Sequence, residues 1–294
     1  MRYSFYPGCS MEGAAVPYHT SFKAIAKVLG IELDEIPDWN CCGATLASGV
    51  AGDYLAQILV ARNLALAESM GQDILVPCSS CYMNLALVNR RFHEDPDFRV
   101  MANEALGVVG LRYNGTRRVR QIIEVLLRDV GLEKIQAVAK NPLKGLRVAG
   151  YVGCQTPRVF PWEFDDPEQP LSLDLIVQAL GATPVDFPMK ARCCGGSHSL
   201  TRPEITTDSG FSVIGNALQD NAQVIVTPCP MCQMNLDAYQ SRIRKQNNLV
   251  ASLPILFITQ LMAVAFDLSA GEAALGYNIV SPLTVLKPFF ETSF

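Results

Sequence analysis

Charge is scarce in this chain. Only 18% of its 294 residues are Asp, Glu, Lys or Arg, below the usual quarter, and the mean hydropathy is slightly positive. Less of the surface than usual is therefore charged, which suits a chain partly covered by a partner. There is no basic excess: the net charge of -4 argues against a nucleic-acid or membrane-surface binder, which needs a positive face. No long apolar run is present either. The longest, from Leu253 to Phe266, is interrupted by Thr259 and Gln260 and falls short of the ~20 residues that span a bilayer, so it reads as a buried or partner-facing helix. Met1 to Cys9 has no charged region followed by an apolar stretch, so no signal peptide is expected and the protein is placed in the cytoplasm.

Familiar cofactor signatures are missing as well. The chain has no C-x2-C-x2-C-x3-C-P ferredoxin run, no G-x-G-x-x-G after a strand and no haem C-x-x-C-H, which removes the usual cubane, nicotinamide and haem readings. Only three histidines occur. His19 and His93 fall on helical stretches and carry no further signal. His198, four residues past Cys194, is a candidate proton donor to a leaving thiolate, although a loop histidine bonded to backbone fits the position equally well.

What is abundant is cysteine, and it is ordered. The ten cysteines form two sets of five: Cys9, Cys41, Cys42, Cys78, Cys81 and Cys154, Cys193, Cys194, Cys229, Cys232. Their spacings are C-x31-CC-x35-C-x2-C and C-x38-CC-x34-C-x2-C. Such self-similarity implies a duplication. In a reducing cytosol these thiols are metal ligands or redox groups rather than structural disulfides.

The hydrophobic pattern has the same period. Short strand-like runs at Arg2–Tyr6, Ile31–Ile36 and Asp73–Pro77 each precede a cysteine element, and Leu146–Val152, Thr183–Phe187 and Gln223–Pro228 repeat the order. Helical spacing separates them, with an apolar face on Asp53–Met70 carried by Leu55, Ile58, Leu59, Leu64 and Leu66. The expected fold class is α/β: two pseudo-symmetric repeats, each a small Rossmann-like parallel sheet with flanking helices and the cysteines at the carboxyl ends of the strands. We place the first repeat at 1–93, a helical connector at 94–145 with its clearest helix at Val119–Val130, the second repeat at 146–245 and a C-terminal helix and tail at 246–294. Within the connector Arg117, Arg118 and Arg120 form a small basic cluster. In the last segment Pro254–Phe266 and Tyr277–Phe294, with Phe289, Phe290 and Phe294, are candidate partner surfaces. The second repeat carries an irregular loop with Pro157, Pro161, Trp162, Pro167 and Pro170, and Lys190 and Arg192 before its vicinal pair are candidates for attracting an anionic substrate.

Five thiols exceed what one zinc or one cubane cluster takes, since each closes with four. Side chains of adjacent residues diverge, so Cys41-Cys42 and Cys193-Cys194 are suited to reach two metals, or to bridge them. At this point the residues resemble a known family. The doubled CCG pattern, covering nearly the whole chain, is similar to the B-type subunit of heterodisulfide reductase and its bacterial homologues. The resemblance implies that each five-cysteine set binds a noncubane [4Fe-4S] cluster and that the two cleave a disulfide reductively, or form one in reverse. It further implies two partners in a larger complex: a ferredoxin-like, C-type subunit that donates electrons and, behind it, a flavin-carrying, A-type subunit. Only the second pair is followed by two glycines, Gly195 and Gly196, against Gly43-Ala44-Thr45 in the first, a departure that bears on the substrate. The alternatives carried forward are one [4Fe-4S] cluster with one structural zinc, and an electron-transfer subunit of a CCG-containing dehydrogenase or quinone-linked complex.

Overall fold

The computed structural model describes residues 1–44, 47–160, 165–249 and 251–290. Among the described residues eight short strands build two sheets. β1 (Arg2–Phe5), β2 (Glu32–Glu35), β3 (Ile74–Val76) and β4 (Val119–Gln121) form the first, in the order β2-β1-β3-β4. β5 (Arg147–Gly150), β6 (Thr183–Pro184), β7 (Val224–Thr227) and β8 (Ile255–Phe257) form the second, in the order β6-β5-β7-β8. Every pairing is parallel. The α/β class and the two repeated parallel sheets are therefore as expected.

Sequence explains why these strands are buried where they are. β3, β4, β7 and β8 are buried at every residue, the pattern of strands covered on both faces, whereas β2 is a partly exposed, acidic edge. β6 is an edge strand that accommodates Pro184 because the bonds to β5 are made by its neighbours, Thr183 N to the Leu146 carbonyl and Val185 N to the Val148 carbonyl, leaving the proline nitrogen on the open side.

By contacts the chain divides into two compact units, Met1–Glu12 with Gly30–Ile122, and Gly13–Leu29 with Ile123–Phe294. The helix Val16–Leu29 follows β1 in the chain but packs in the second unit: Tyr18 stacks on Phe257 with ring centroids 4.3 Å apart, Ser21 Oγ lies 2.7 Å from Thr259 Oγ1, and Lys134 Nζ donates to the Leu29 carbonyl at 2.6 Å. In the first unit the helices Ala47–Ser69 and Ser79–Glu94 flank the sheet. The former is broken at Gly52 (φ 78°, ψ 159°), a left-handed position that favours glycine.

Three element readings are corrected. Val119–Val130 is not one helix: Val119, Arg120 and Gln121 pair as β4 with Ile74, Leu75 and Val76 before the chain turns helical at Ile122. Arg120 is buried there, 3.7 Å from Asp73, so the three arginines are not one surface patch. The face of the helix after Gly52 is rotated, with Val60, Ala61, Leu64 and Ala65 buried while Leu55 is 47% exposed. Finally, Leu253–Phe266 is a strand followed by the helix Ile258–Ala265, and both are wholly buried. Pro254–Phe266 is therefore core rather than a partner surface. Phe290 is buried too, and Phe294 lies outside the described residues, as do Pro161 and Trp162. Among the described residues no helix is long and apolar enough to cross a membrane.

The C-terminal segment is fastened by buried polar groups. Gln260 accepts from Phe257 N at 3.0 Å through Oε1. Its Nε2 donates to the Ala273 and Ala274 carbonyls and to Asn278 Oδ1. Asp237 accepts from Ile279 N and Val280 N at 2.8 and 3.0 Å. Replacing Gln260 by Leu strands a buried amide and several carbonyls, which costs roughly 1–3 kcal/mol. A denaturant titration of Gln260→Leu should show the midpoint lowered with the slope unchanged.

Candidate metal centres

In each sheet the strand order reverses between the first and third strands of the repeat, β1 and β3 or β5 and β7. Loops leaving neighbouring parallel strands there diverge to opposite faces and open a crevice at the carboxyl ends. The cysteines occupy these loops and the first turns of the helices that follow, with Cys81 inside Ser79–Glu94 and Cys232 inside Pro230–Ala238. Cys9 follows β1, Cys41 and Cys42 follow β2, and Cys78 follows β3 and caps the helix Ser79–Glu94. In the second unit Cys154 follows β5, Cys193 and Cys194 follow β6, and Cys229 follows β7 and caps the helix Pro230–Ala238.

The thiols of each set lie together. Cys42 Sγ is 3.3 Å from Cys81 Sγ, and Cys41 Sγ is 4.0 Å from Cys9 Sγ. Cys78 and Cys81 are hydrogen-bonded through their side chains. In the second set Cys154 bonds to Cys193, and Cys232 bonds to both Cys194 and Cys229. None of the ten is joined in a disulfide. The vicinal pairs split as adjacent side chains must: Cys42 and Cys194 are buried, Cys41 and Cys193 exposed.

Crowding polarises the sulfurs. Hydrogen bonds from the Cys41 and Cys81 thiols hold Cys42 down to about 4 against the penalty of burial, while the same bond pushes Cys41 up. Cys193 is lowered to about 5, first by the Cys154 thiol, then by the Gly195 N–H and by the positive charges of His198 and Arg192. Cys81 and Cys232 are pushed well up as the donors of such bonds and by burial. Each set is thus a mixture of thiolates and the thiols that hold them, and a metal centre binding there would release the remaining protons.

A frame of non-cysteine residues surrounds each set at matched offsets, and the sequence reading did not pick it out. Tyr6 and Tyr151, three residues before the lone cysteines, donate to the carbonyls just before the vicinal pairs, at 2.7 Å to Asn40 and 2.5 Å to Arg192. Burial and the nearby cysteines keep both phenols protonated, so they remain donors. Asn84 and Asn235, three residues past each C-x-x-C, donate to the carbonyls of Cys42 and Cys194 at 2.8 and 2.6 Å. Gly43 N and Gly195 N point at Cys41 Sγ and Cys193 Sγ, at 3.4 and 3.3 Å. Gly8 and Gly153 have positive φ, and a Cβ there would meet the sulfur of Cys81 at 2.9 Å or of Cys232 at 3.3 Å. The recurrence of each residue type at one offset in both repeats was the signal available.

The other candidates fare differently. His198 ends a short 3-10 turn, Gly196–His198, and is exposed, near enough to Cys193 for its charge to act on that thiol. Arg192 is exposed beside it. Lys190 is not available to a substrate: it is buried and bonded to Asp174 at 2.5 Å, and its carbonyl accepts from Gly153 N. A cavity of about 640 Å³ reaches Cys42 in the first unit, lined among others by Asn84, Met83, Leu87 and Arg90.

The residues fit an iron-sulfur cluster. Five sulfurs converge in each unit, backbone N–H groups face them, and Gly8 and Gly153 bring the backbone close against Cys81 and Cys232. The hydroxyls of Ser10, Ser79 and Thr156, each within two residues of a cysteine, have no partner among the described residues. Those residues hold no group of three or more Cys, His, Asp or Glu side chains placed for a single metal ion.

Comparison with known proteins agrees with this geometry. The cysteine-rich CCG domain matches residues 3–86 and 148–237. An 8-methylmenaquinol:fumarate reductase membrane anchor subunit from Wolinella succinogenes is 37% identical over 95% of this chain and 97% of its own. A protein from Archaeoglobus profundus, named for its likeness to the B-type subunit of heterodisulfide reductase, is 32% identical over 99% of each chain. The B-type subunit of a ferredoxin/F(420)H(2)-dependent CoB-CoM heterodisulfide reductase from Methanosarcina acetivorans is 30% identical over 99% of this chain and 98% of its own. A solved structure of a hypothetical protein from Helicobacter pylori superposes with a TM-score of 0.76 at 12% identity, over 95% of this chain and 51% of that one. It shares the fold, and this chain spans about half its length.

The two exposed vicinal cysteines should differ chemically in the iron-free chain. Iodoacetamide at pH 6.5 should label Cys193, a thiolate, at least about tenfold faster than Cys41, which is held as a thiol. Lowering the pH through 5 should abolish the difference, with peptide mass spectrometry as the readout.

Proposed function

The chain belongs to the cysteine-rich CCG-domain family that includes the B-type subunit of heterodisulfide reductase, and from that premise we propose that it is the disulfide-handling oxidoreductase subunit of a larger complex. The observation that carries this reading is the duplication of one five-thiol arrangement, one copy in each unit, with the same tyrosine, asparagine and glycine frame. Splitting R-S-S-R' into two thiols takes two electrons and two protons. Two equal centres match a two-electron reaction to one-electron donors.

Cys9, Cys41, Cys42, Cys78 and Cys81 would hold one centre and Cys154, Cys193, Cys194, Cys229 and Cys232 the other. When bound, a noncubane [4Fe-4S] cluster supplies one electron at a time and an iron position open to sulfur. The protein's part is to hold and shield. Buried Cys42, Cys78 and Cys81, and their counterparts Cys194, Cys229 and Cys232, keep water from the inner side of each set. Exposed Cys9, Cys41 and Cys193 mark the side open to a reactant. In the second unit His198 would serve as proton donor to a departing thiolate, and Arg192, whose charge acts on Cys193, would attract an anionic substrate. In the first unit the cavity at Cys42 offers apolar walls and Arg90 to the non-reacting arm of a thiol.

The related proteins are named as subunits of reductases, which supports an external donor: a ferredoxin-like, C-type subunit, supplied in turn by a flavin-carrying, A-type subunit. Leu55, Leu59 and Leu87 remain exposed on the helices Ala47–Ser69 and Ser79–Glu94, apolar area of the kind that contacts between subunits use. A second reading, electron relay in a quinone-linked complex, is favoured by the Wolinella succinogenes relative named for a menaquinol reaction.

Purified chain should carry about eight irons; about four irons with one zinc would instead mark a single working centre. Cys42→Ala and Cys194→Ala should each remove one electron paramagnetic resonance signal and abolish disulfide reduction. Full turnover in either variant would sink the two-centre mechanism, and spectra insensitive to added thiols would favour the relay.

A further inference from the structure

Two of the unpartnered hydroxyls are deeply buried. Ser79, one residue past Cys78, is 2% exposed, and Thr156, two residues past Cys154, is 0% exposed. Folded proteins seldom leave such groups unpaired, because each has given up water for nothing. Both lie within two residues of a cysteine, on the segments that carry the two sets.

The duplication makes the pair informative. The position matching Ser79 in the second repeat, immediately after the first cysteine of the C-x-x-C, is Pro230, which has neither a hydroxyl nor an N–H. The position matching Thr156 in the first repeat, two residues past the lone cysteine, is the buried and apolar Met11. The first set therefore has its deeply buried hydroxyl on the C-x-x-C element and the second on the lone-cysteine element, while Ser10 beside Cys9 is a partly exposed residue whose hydroxyl is also unpartnered. The frame of tyrosines, asparagines and glycines is duplicated, but these donors are not. In the first turn of the helix Ser79–Glu94, the backbone N–H groups of Ser80 and Cys81 already face Cys78 and make this an electropositive corner.

Resting on the reading that each set holds an iron-sulfur cluster, we propose that Ser79 and Thr156 each donate a hydrogen bond to a sulfur of their own cluster and thereby raise its reduction potential. Reduction adds one electron and one negative charge to the cluster. Donors aimed at its sulfurs favour that reduced form. Since the two donors arise from different elements, each acts on its own cluster.

The test is a redox titration of the iron-loaded chain followed by electron paramagnetic resonance, with iron counted in every sample. Ser79→Ala should favour the oxidised form of one cluster about tenfold, which for a one-electron step is about 59 mV more negative, and leave the other signal in place. Thr156→Val should do the same to the other signal alone. The hydroxyl-keeping variants Ser79→Thr and Thr156→Ser should titrate like the parent. Full iron with both midpoints unmoved in Ser79→Ala and Thr156→Val overturns the proposal, as does a shift of one and the same signal by both, or a Ser79→Thr that shifts as far as Ser79→Ala. A parent chain that binds no iron would overturn the cluster reading itself, a failure visible before any titration.

Discussion

Parallel strands all point the same way, and everything at the cysteine sets depends on that. Because β1, β2 and β3 run side by side, the segments that follow them emerge along one edge, and the reversal of order between β1 and β3 opens a crevice there. Cysteines more than thirty residues apart meet at a few ångströms, as Cys42 and Cys81 do at 3.3 Å. The intervals of 31 to 38 residues between cysteine elements are the lengths of strand, helix and return strand. The sheet thus converts a sequence period into a point in space.

Convergence has a cost that the local chemistry reveals. Five thiols in one place cannot all ionise without repelling one another, so some become thiolates and their neighbours remain protonated donors. Tyr6, Tyr151, Asn84 and Asn235 then lock the backbone on which the vicinal pairs ride. Where the two copies differ, they differ in side chains beside the sulfurs rather than in this lock: Ser79 against Pro230, Met11 against Thr156, Asn40 against Arg192. Holding a centre constrains both repeats alike, while tuning one leaves each free to diverge.

Much of this was legible in residue order. Both cysteine sets, the duplication and the strand before each cysteine element follow from spacing and short apolar runs, and the parallel sheets agree with them. Two of the errors share one physical origin. Val119–Val130 and Leu253–Phe266 are apolar runs whose early residues join a sheet edge as β4 and β8, and periodicity cannot separate a buried strand from a buried helix. Lys190 reads as a surface cation by residue type, yet burial with Asp174 at 2.5 Å takes it from solvent. The tyrosines and asparagines went unnoticed because their role is to bind carbonyls, which leaves no trace in composition.

By itself the sequence determined the ligand type, its number and its repetition, since these are properties of residue identity and interval. Only the tertiary structure decided which sulfur of each vicinal pair is buried, which thiols share protons, and which hydroxyls are left without an acceptor. Those outcomes depend on distances between segments far apart in the chain. Such distances are set by the packing of helices on the sheets, where no local pattern records them.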